Sequence, residues 1–358
     1  MKKDIIFILS SLNDPHFRKR VEEFLDYGYQ VKVFGFKRKG QSLPVTRFTP
    51  IILGEIENRN FASRIHIFRR RIKAIAKECN GKLCFYSSLD IALFARFYIK
   101  SPYIYEVCDL TELTIRNSII RRFLSATSAK IIKASQKTII TSEGFLDYFK
   151  NLPKEKFYLI PNKVSPEIPK YVYRKRTFCS ERIKIGFVGN IRFESIYHFV
   201  KVCSDFSRNV EVHLFGIYSV GDKWANMIYE LEQLHKNIFY HGRFTNPADL
   251  PSIYNKIDLL LCTYPPTLGV MYAEPNKLYE AIYFRCPIIV SEKVFLGEKV
   301  RNLNIGYVID SMDENKIKQF LSSLNSSDYQ SKIESCESIS QEDCLNNNEE
   351  FFKQLDVL

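Results

Sequence analysis

DIIFILSSLNDPHFRKRVEEFLDYGYQVKVFG, residues 4–35, sets the fold class. After Asp4, residues 5–9 form an unbroken apolar run closed by Ser10-Ser11-Leu12-Asn13-Asp14-Pro15, the pattern of a buried strand followed by its loop. From His16 to Tyr27 the apolar residues Phe17, Val21, Phe24 and Leu25 recur at helical spacing, and Gly28 is a suitable C-cap. Tyr29 to Gly35 is the next strand. Strand, helix and strand in one stretch make a βαβ unit, and a βαβ unit implies a parallel sheet.

Working outward, the pattern repeats. Lys82–Tyr86, Tyr103–Val107 and Lys137–Thr141 read as strands separated by helical stretches, and Phe157–Ile160 as a last short strand closed by Pro161-Asn162. Lys163 to Ser180 holds Pro166, Pro169 and the basic cluster Arg174-Lys175-Arg176, the composition of a linker. A second series then begins, with strands at Arg182–Gly189, Val210–Gly216, Ile238–Gly242, Ile257–Cys262 and Cys286–Val290. Helices are expected near 195–207, 223–235, 249–256 and 276–284. The tail from Ser340 to Leu358 reads as an amphipathic helix with Phe351, Phe352 and Leu355 as its apolar stripe. The expectation is two doubly wound Rossmann-like domains facing a central cleft, with the last helix crossing back to the first. The boundaries are 1–165, a linker at 166–180, 181–338, and a crossover helix at 339–358.

Composition agrees with a folded chain of two domains. It has 358 residues, 46% of them hydrophobic, with 28 Phe and 21 Tyr, which excludes a disordered or linker-like protein. Nine Cys occur without a CxxC pair, so neither a disulfide framework nor a structural zinc site is expected. The start is not a signal peptide and no apolar run approaches a membrane span, so a cytoplasmic location is expected. Charge is unevenly placed. Residues 1–170 carry 31 Lys and Arg against 16 Asp and Glu, and residues 171–358 carry 21 against 24. The whole positive excess sits in the first half, which points to an anionic partner there.

In open parallel sheets, ligands bind at the carboxyl ends of strands and against helix amino termini. Glu274-Pro-Asn-Lys-Leu-Tyr-Glu280 fits such a terminus, with Asn276, Lys277 and Leu278 in the first helical turn. Backbone N–H groups and the Lys277 charge would grip a diphosphate without a metal, and Glu280, on the same face, would accept ribose hydroxyls. A plain helix start with a Lys277–Glu280 ion pair is the competing reading.

The segment EPNKLYEAIYFRCPIIVS (274–291) resembles the one with which GT-B fold glycosyltransferases, particularly family-4-like bacterial enzymes, hold a nucleotide-sugar. The resemblance implies Lys277 on the diphosphate and Glu280 on the ribose. Tyr272 stands where many of these enzymes carry a Glu that handles the sugar, leaving that task to the Thr267–Met271 stretch. IGFVGNIRFES (185–195) resembles the loop opening the donor domain. There Gly189 would admit the phosphates, Asn190 and Ser195 replace the usual Arg and Lys, and Arg192 would supply the charge. FYHGRFTNPADLPSIYNKIDLLLC (239–262) resembles the stretch that places Arg243 and Phe244 beside the nucleobase. DPHFRKRVEEFLDYGYQVKVFGFKR (14–38), YIYEVCDLTEL (103–113), TIITSEGFLDYF (138–149) and YLIPNKV (158–164) match first-domain landmarks in order.

Two residues are candidates for catalysis on the acceptor. Asp109 follows a strand end, where a carboxylate could take a hydroxyl proton, and His16 stands just past the first strand, where several inverting GT-B enzymes hold a histidine base. Cys108 occupies the place of the family's frequent His. The other histidines form no metal triad, and neither metal nor cofactor is expected.

Residues 59–82 hold Arg59, Arg64, Arg69, Arg70, Arg71, Lys73, Lys77 and Lys82 around an apolar stripe, and Arg116, Arg121, Arg122, Lys130, Lys133 and Lys137 surround Ile119, Ile120, Phe123 and Leu124. Arg69, Arg70, Arg71 and Lys73 are the residues expected to face an anionic bilayer, at the inner face of the membrane. No nucleic-acid motif is visible.

The expected activity is metal-independent transfer of a sugar from a nucleotide-diphosphate donor, UDP-linked by expectation, to a hydroxyl of a lipid-linked or surface polysaccharide acceptor. The alternatives are a nucleotide-sugar epimerase of the same fold, or a non-catalytic nucleotide-binding module at the membrane surface.

Overall fold

The computed structural model describes residues 3–57, 61–170, 175–179, 181–206 and 210–356. Of the basic residues named above, Arg59 and Arg174 lie outside them, as do 171–174 and 180 of the expected linker. The chain divides into two compact units, residues 1–160 with 348–358, and 161–347.

The first unit carries strands β1 (Asp4–Leu9), β2 (Gln30–Arg38), β3 (Ile51–Ile56), β4 (Leu83–Tyr86), β5 (Tyr103–Val107), β6 (Lys137–Ile140) and β7 (Phe157–Leu159). They form one parallel sheet in the order β3-β2-β1-β4-β5-β6-β7. Its helices are α1 (Pro15–Asp26), α2 (Phe61–Cys79), α3 (Leu89–Tyr98), α4 (Ser118–Ala134) and α5 (Gly144–Tyr148). Helix α1 starts where Asp14 accepts the N–H of His16, and Pro15 fits its first position. The order reverses between β1 and β4, so the carboxyl ends of these strands frame the binding crevice expected of such sheets.

The second unit repeats the design. Strands β8 (Ile183–Ile191), β9 (Val210–Tyr218), β10 (Ile238–Gly242), β11 (Leu259–Cys262), β12 (Ile288–Ser291) and β13 (Gly306–Ile309) run parallel in the order β10-β9-β8-β11-β12-β13. Helices α6 (Glu194–Asp205), α7 (Lys223–Leu234), α8 (Leu250–Lys256), α9 (Asn276–Tyr283), α10 (Phe295–Leu303), α11 (Glu314–Ser323) and α12 (Ser326–Glu337) surround it. The reversal here lies between β8 and β11.

Residues 161–165 and 339–347 go with the second unit because the backbone of Val164 pairs with Leu345. Arg176, in the expected linker, is buried there and donates to the carbonyls of Tyr254, Ile257 and Phe284. The last helix, α13 (Glu349–Asp356), returns to the first unit. Its Phe351, Phe352 and Leu355 are buried among Phe7, Phe24, Tyr29 and Phe85, and Phe352 stacks on Tyr27 with centroids 3.8 Å apart.

Candidate functional site

In the first unit, His16 and Asp109 meet different fates. His16, at the start of α1, is half-buried, and its Nε2 lies 2.9 Å from Oε1 of Glu106 on β5. Asp109 is exposed beyond the end of that strand. Glu106 is fully buried, and Arg20 of α1, itself buried, donates to the same oxygen from Nη2 (2.8 Å) and Nε (3.2 Å). Burial by itself would push the Glu106 carboxyl up, but the neighbouring Arg20 and His16 outweigh it and hold the group at about 2. Cys108, two residues on, is pushed up by burial and by the charges of Glu106 and Asp109. Sequence reasoning missed Glu106 because it sits inside an apolar strand; its one signal was a carboxylate interrupting the run YIYEV.

His16, Glu106 and Cys108 each bring one ligand atom to within 4.8 Å of the others, the only such His/Cys/Asp/Glu group among the described residues. The two nearest of these atoms are already bonded to each other, and a buried guanidinium shares the carboxylate oxygen. A cation there would face Arg20 at close range, so the arrangement fits a hydrogen-bonded dyad better than a metal centre.

In the second unit, the carboxyl ends of β8 and β9 and the loop after β10 border an open pocket of about 330 Å³, lined by Gly189, Asn190, Gly216, Ile217, Arg243 and Phe244. Four of these, Gly189, Asn190, Arg243 and Phe244, are expected donor residues; Gly216 and Ile217 were not anticipated. Gly189 and Gly216 are register partners with φ of 137° and 141°, a region that favours glycine. A Cβ on Gly216 would come within 1.7 Å of the Gly189 carbonyl oxygen, and one on Gly189 would lie 3.1 Å from Lys277 Nζ. The Lys277 ammonium therefore hangs over the bare backbone of Gly189 of the pocket wall. It makes no ion pair with any described residue, and the Lys277–Glu280 pair of the competing reading does not form.

Glu280 is instead buried, accepting from Tyr254 Oη at 2.7 Å and from the Asn276 side-chain amide. Leu278 departs from expectation. Its side chain belongs to the core and its N–H donates to the Pro275 carbonyl, so it presents no donor group to a ligand. Ser195 is also internal, donating to the carbonyl of Thr263 at 3.1 Å and tying α6 to the end of β11. Arg192 is exposed with its guanidinium 4.6 Å over the Phe193 ring. Phe193 carries φ 81°, which costs a non-glycine residue about 1–3 kcal/mol and marks this loop as held by its surroundings. Beside the cavity, His213 Nδ1 and His241 Nε2 lie 3.0 Å apart, and His241 stacks on Phe215 with centroids 4.3 Å apart. Both imidazoles are pushed down by burial, His241 also by the charge of His213.

In the first unit, α2 buries Phe68, Ile72 and Ile75 and leaves Ile65 40% exposed, with Arg69, Arg70, Arg71 and Lys73 in solvent. Helix α4 differs. Ile119 and Phe123 are 77% and 64% exposed, and Phe97 on the adjoining α3 is 76% exposed.

Two parallel Rossmann-like units, the second with a glycine-lined pocket beside Lys277, have the architecture of the GT-B fold. Residues 182–326 match the model of the family described as glycosyl transferases group 1. It is 25% identical over 353 residues to the succinoglycan biosynthesis protein ExoL of Rhizobium meliloti (strain 1021), covering 91% of this chain and 85% of that protein. Among solved structures it is similar to sucrose-phosphate synthase of Thermosynechococcus elongatus (TM-score 0.72, 15% identity, 99% of this chain and 100% of that one). It is also similar to HepE of Anabaena in complex with UDP and glucose (TM-score 0.70, 13% identity, 99% and 100%).

Proposed function

We propose that the chain transfers a sugar from a UDP-linked donor to a hydroxyl of a polysaccharide acceptor, surface-exposed or lipid-linked, without a metal. The second unit takes the donor and the first the acceptor. The observation that carries this reading is the Lys277 ammonium beside Gly189 of the pocket wall, a cation where a diphosphate can approach bare backbone. Arg243 on the cavity wall adds a second charge for the departing diphosphate, and Phe244 an aromatic face for the base. Asn276 and Glu280, joined at the start of α9, would orient the ribose. In the first unit His16 and Asp109 meet the acceptor. The UDP and glucose held by HepE support the donor class, and the succinoglycan biosynthesis for which ExoL is named supports the acceptor class.

No helix among the described residues is long and apolar enough to cross a membrane. We propose peripheral attachment to the inner face, through α4 rather than α2. Ile119, Ile120 and Phe123 are the apolar side chains α4 leaves in water, and Arg116 and Arg122 are exposed beside them for anionic headgroups.

Thermal unfolding with millimolar UDP, GDP, CMP and NAD tests the donor side. At 100 times its dissociation constant a ligand adds about 2.7 kcal/mol, or roughly 5–10 °C for a unit of this size. The expected result is a rise with UDP that Lys277→Ala abolishes; a rise with GDP alone would overturn the donor class.

A further inference from the structure

Beside the pocket, β9 and β10 bring two imidazoles together. His213 Nδ1 on β9 lies 3.0 Å from His241 Nε2 on β10, and His213 Nε2 lies 3.3 Å from Oε2 of Glu211. His241 falls where the register between the two strands shifts. On one side of it the Tyr240 hydroxyl donates to the Gly216 carbonyl at 3.0 Å, and on the other Gly242 turns the chain with φ 77°. Gly216 is part of the pocket wall, and Arg243 and Phe244, which follow Gly242 directly, are two more of its residues. We propose that the His213–His241 pair is a proton-operated switch on donor binding. While the rings share a hydrogen bond, they hold the irregular end of β10, and with it Arg243 and Phe244, in the binding position; when both rings are protonated, they release it. This rests on the reading of the pocket as the nucleotide site.

The protons can be followed one by one. Burial alone would raise the Glu211 carboxyl, but Arg182 and His213 outweigh it and hold the group down, so it only accepts. The proton of a neutral His213 therefore sits on Nε2, facing Glu211, and its Nδ1 accepts from the Nε2–H of His241. One further proton fits. It goes to the Nδ1 of His241, leaves the shared bond in place, and makes His241 a cation stacked on Phe215 with centroids 4.3 Å apart. A second has only the Nδ1 of His213 to occupy, which sets N–H against N–H at 3.0 Å and puts two imidazolium rings in contact. The bond then breaks. Lys184 of β8 and Lys256 of α8 oppose added protons, and Glu211 and Asp258, which precedes β11, favour them. Val212 and Leu214 pack with Ile228 of α7 on the opposite face of the sheet, so the charges of that helix do not meet the pair. Arg243 and Asp249 are the charged groups of the loop after β10, and Asp249 holds the Thr245 N–H at 2.7 Å, which pins the far end of that loop. Burial pushes both imidazoles below the ordinary 6.5. The pair is therefore closed at neutral pH and opens only as the pH falls beneath that value.

The test is calorimetric titration of the full chain with UDP from about pH 7.5 to about pH 5, for the wild type and for His241→Gln, in which the pair cannot carry two charges. Protonation of UDP itself is common to both proteins and cancels in the comparison. Wild-type affinity is expected to fall about 10-fold further over this range than that of His241→Gln. Parallel profiles, or a wild type that gains on His241→Gln in acid, would overturn the proposal. Long-range ¹H–¹⁵N correlation on the wild type, assigned through the backbone, judges the pair without any substituted protein having to fold. The expected spectrum has His213 and His241 both as Nε2–H tautomers at neutral pH, with the amide signals of Arg243 and Phe244 moving as the second proton binds. His213 as the Nδ1–H tautomer, or amide signals that ignore the titration, would also overturn it. If the wild type binds UDP at no pH, the donor reading fails, while the spectrum still decides whether the pair governs the loop.

Discussion

Gly189 and Gly216 face each other across β8 and β9 with nearly the same φ, yet an added methyl meets different things. That difference makes a sharp prediction. In either Gly→Ala variant the positive φ costs about 1–3 kcal/mol. In Gly216→Ala the new Cβ also lies 1.7 Å from the Gly189 carbonyl oxygen, a rigid backbone atom in a paired strand. Relieving it requires the two strands to part, at the roughly 1–3 kcal/mol typical of overpacking or more. The total is about 2–6 kcal/mol, a large part of the roughly 5–15 kcal/mol that holds a domain together. At about 2–4 °C per kcal/mol for a unit of this size, the melting temperature is expected to fall by roughly 12 °C. In Gly189→Ala the new Cβ meets the Lys277 ammonium at 3.1 Å and its Cε at 3.2 Å, the far end of a flexible chain that can swing away. Only the backbone cost remains, but Lys277 leaves its station. The expectation is a fall of about 3–10 °C with the UDP response lost. Differential scanning fluorimetry of both variants, with and without UDP, reads all of this. If Gly216→Ala melted with the wild type, or Gly189→Ala kept its full UDP shift, the reasoning about this strand pair would be wrong.

Glu106 ties stability to pH. Its carboxyl titrates near 4.5 in an unfolded chain and about 2 when folded, so the ion pair contributes fully above about pH 4.5 and is lost as pH falls through about 2. The difference amounts to ~3 kcal/mol, and Glu106→Gln is expected to flatten the urea midpoint over that window. The same substitution leaves the buried Arg20 with Glu23 as its remaining charged partner, so a loss of about 1.5–3 kcal/mol at pH 7 is expected in the same titration. Phe352→Ala should cost about 3–5 kcal/mol by urea denaturation, because its ring is packed against Phe24 and Tyr27. Replacing Ile119 and Phe123 together by Ser should reduce co-sedimentation with phosphatidylglycerol vesicles about 10-fold or more while leaving the melting temperature within a degree, since each apolar side chain withdrawn from water is worth about 1.5–3 kcal/mol. Substituting Arg70 and Arg71 should matter less and disappear at high salt, as screened surface charges do.

What the residues announce by themselves is the local periodicity. The runs 4–9, 103–107 and 238–242 are strands over the ranges read from sequence; the largely apolar β1 and β5 are buried from both faces of their parallel sheet, whereas β10 lies at the edge of its sheet with Phe239 and Tyr240 exposed. Strand β3 was missed because Ile51 and Ile52 are exposed at the sheet edge, and β13 (Gly306–Ile309) was missed as well. The order of motifs around Lys277 and Gly189 was legible too, since glycine and lysine beside helix starts state their chemistry locally. Tertiary structure decided the partners. That Lys277 stands over Gly189, that Leu278 faces the core, that α4 rather than α2 leaves its apolar side chains in water, and that Glu106 grips His16 from 90 residues away all depend on which strands become neighbours. Sequence spacing fixes what a side chain can do within its own element. Only the crossing of β1 to β4 and β8 to β11 brings those side chains within hydrogen-bond reach of one another.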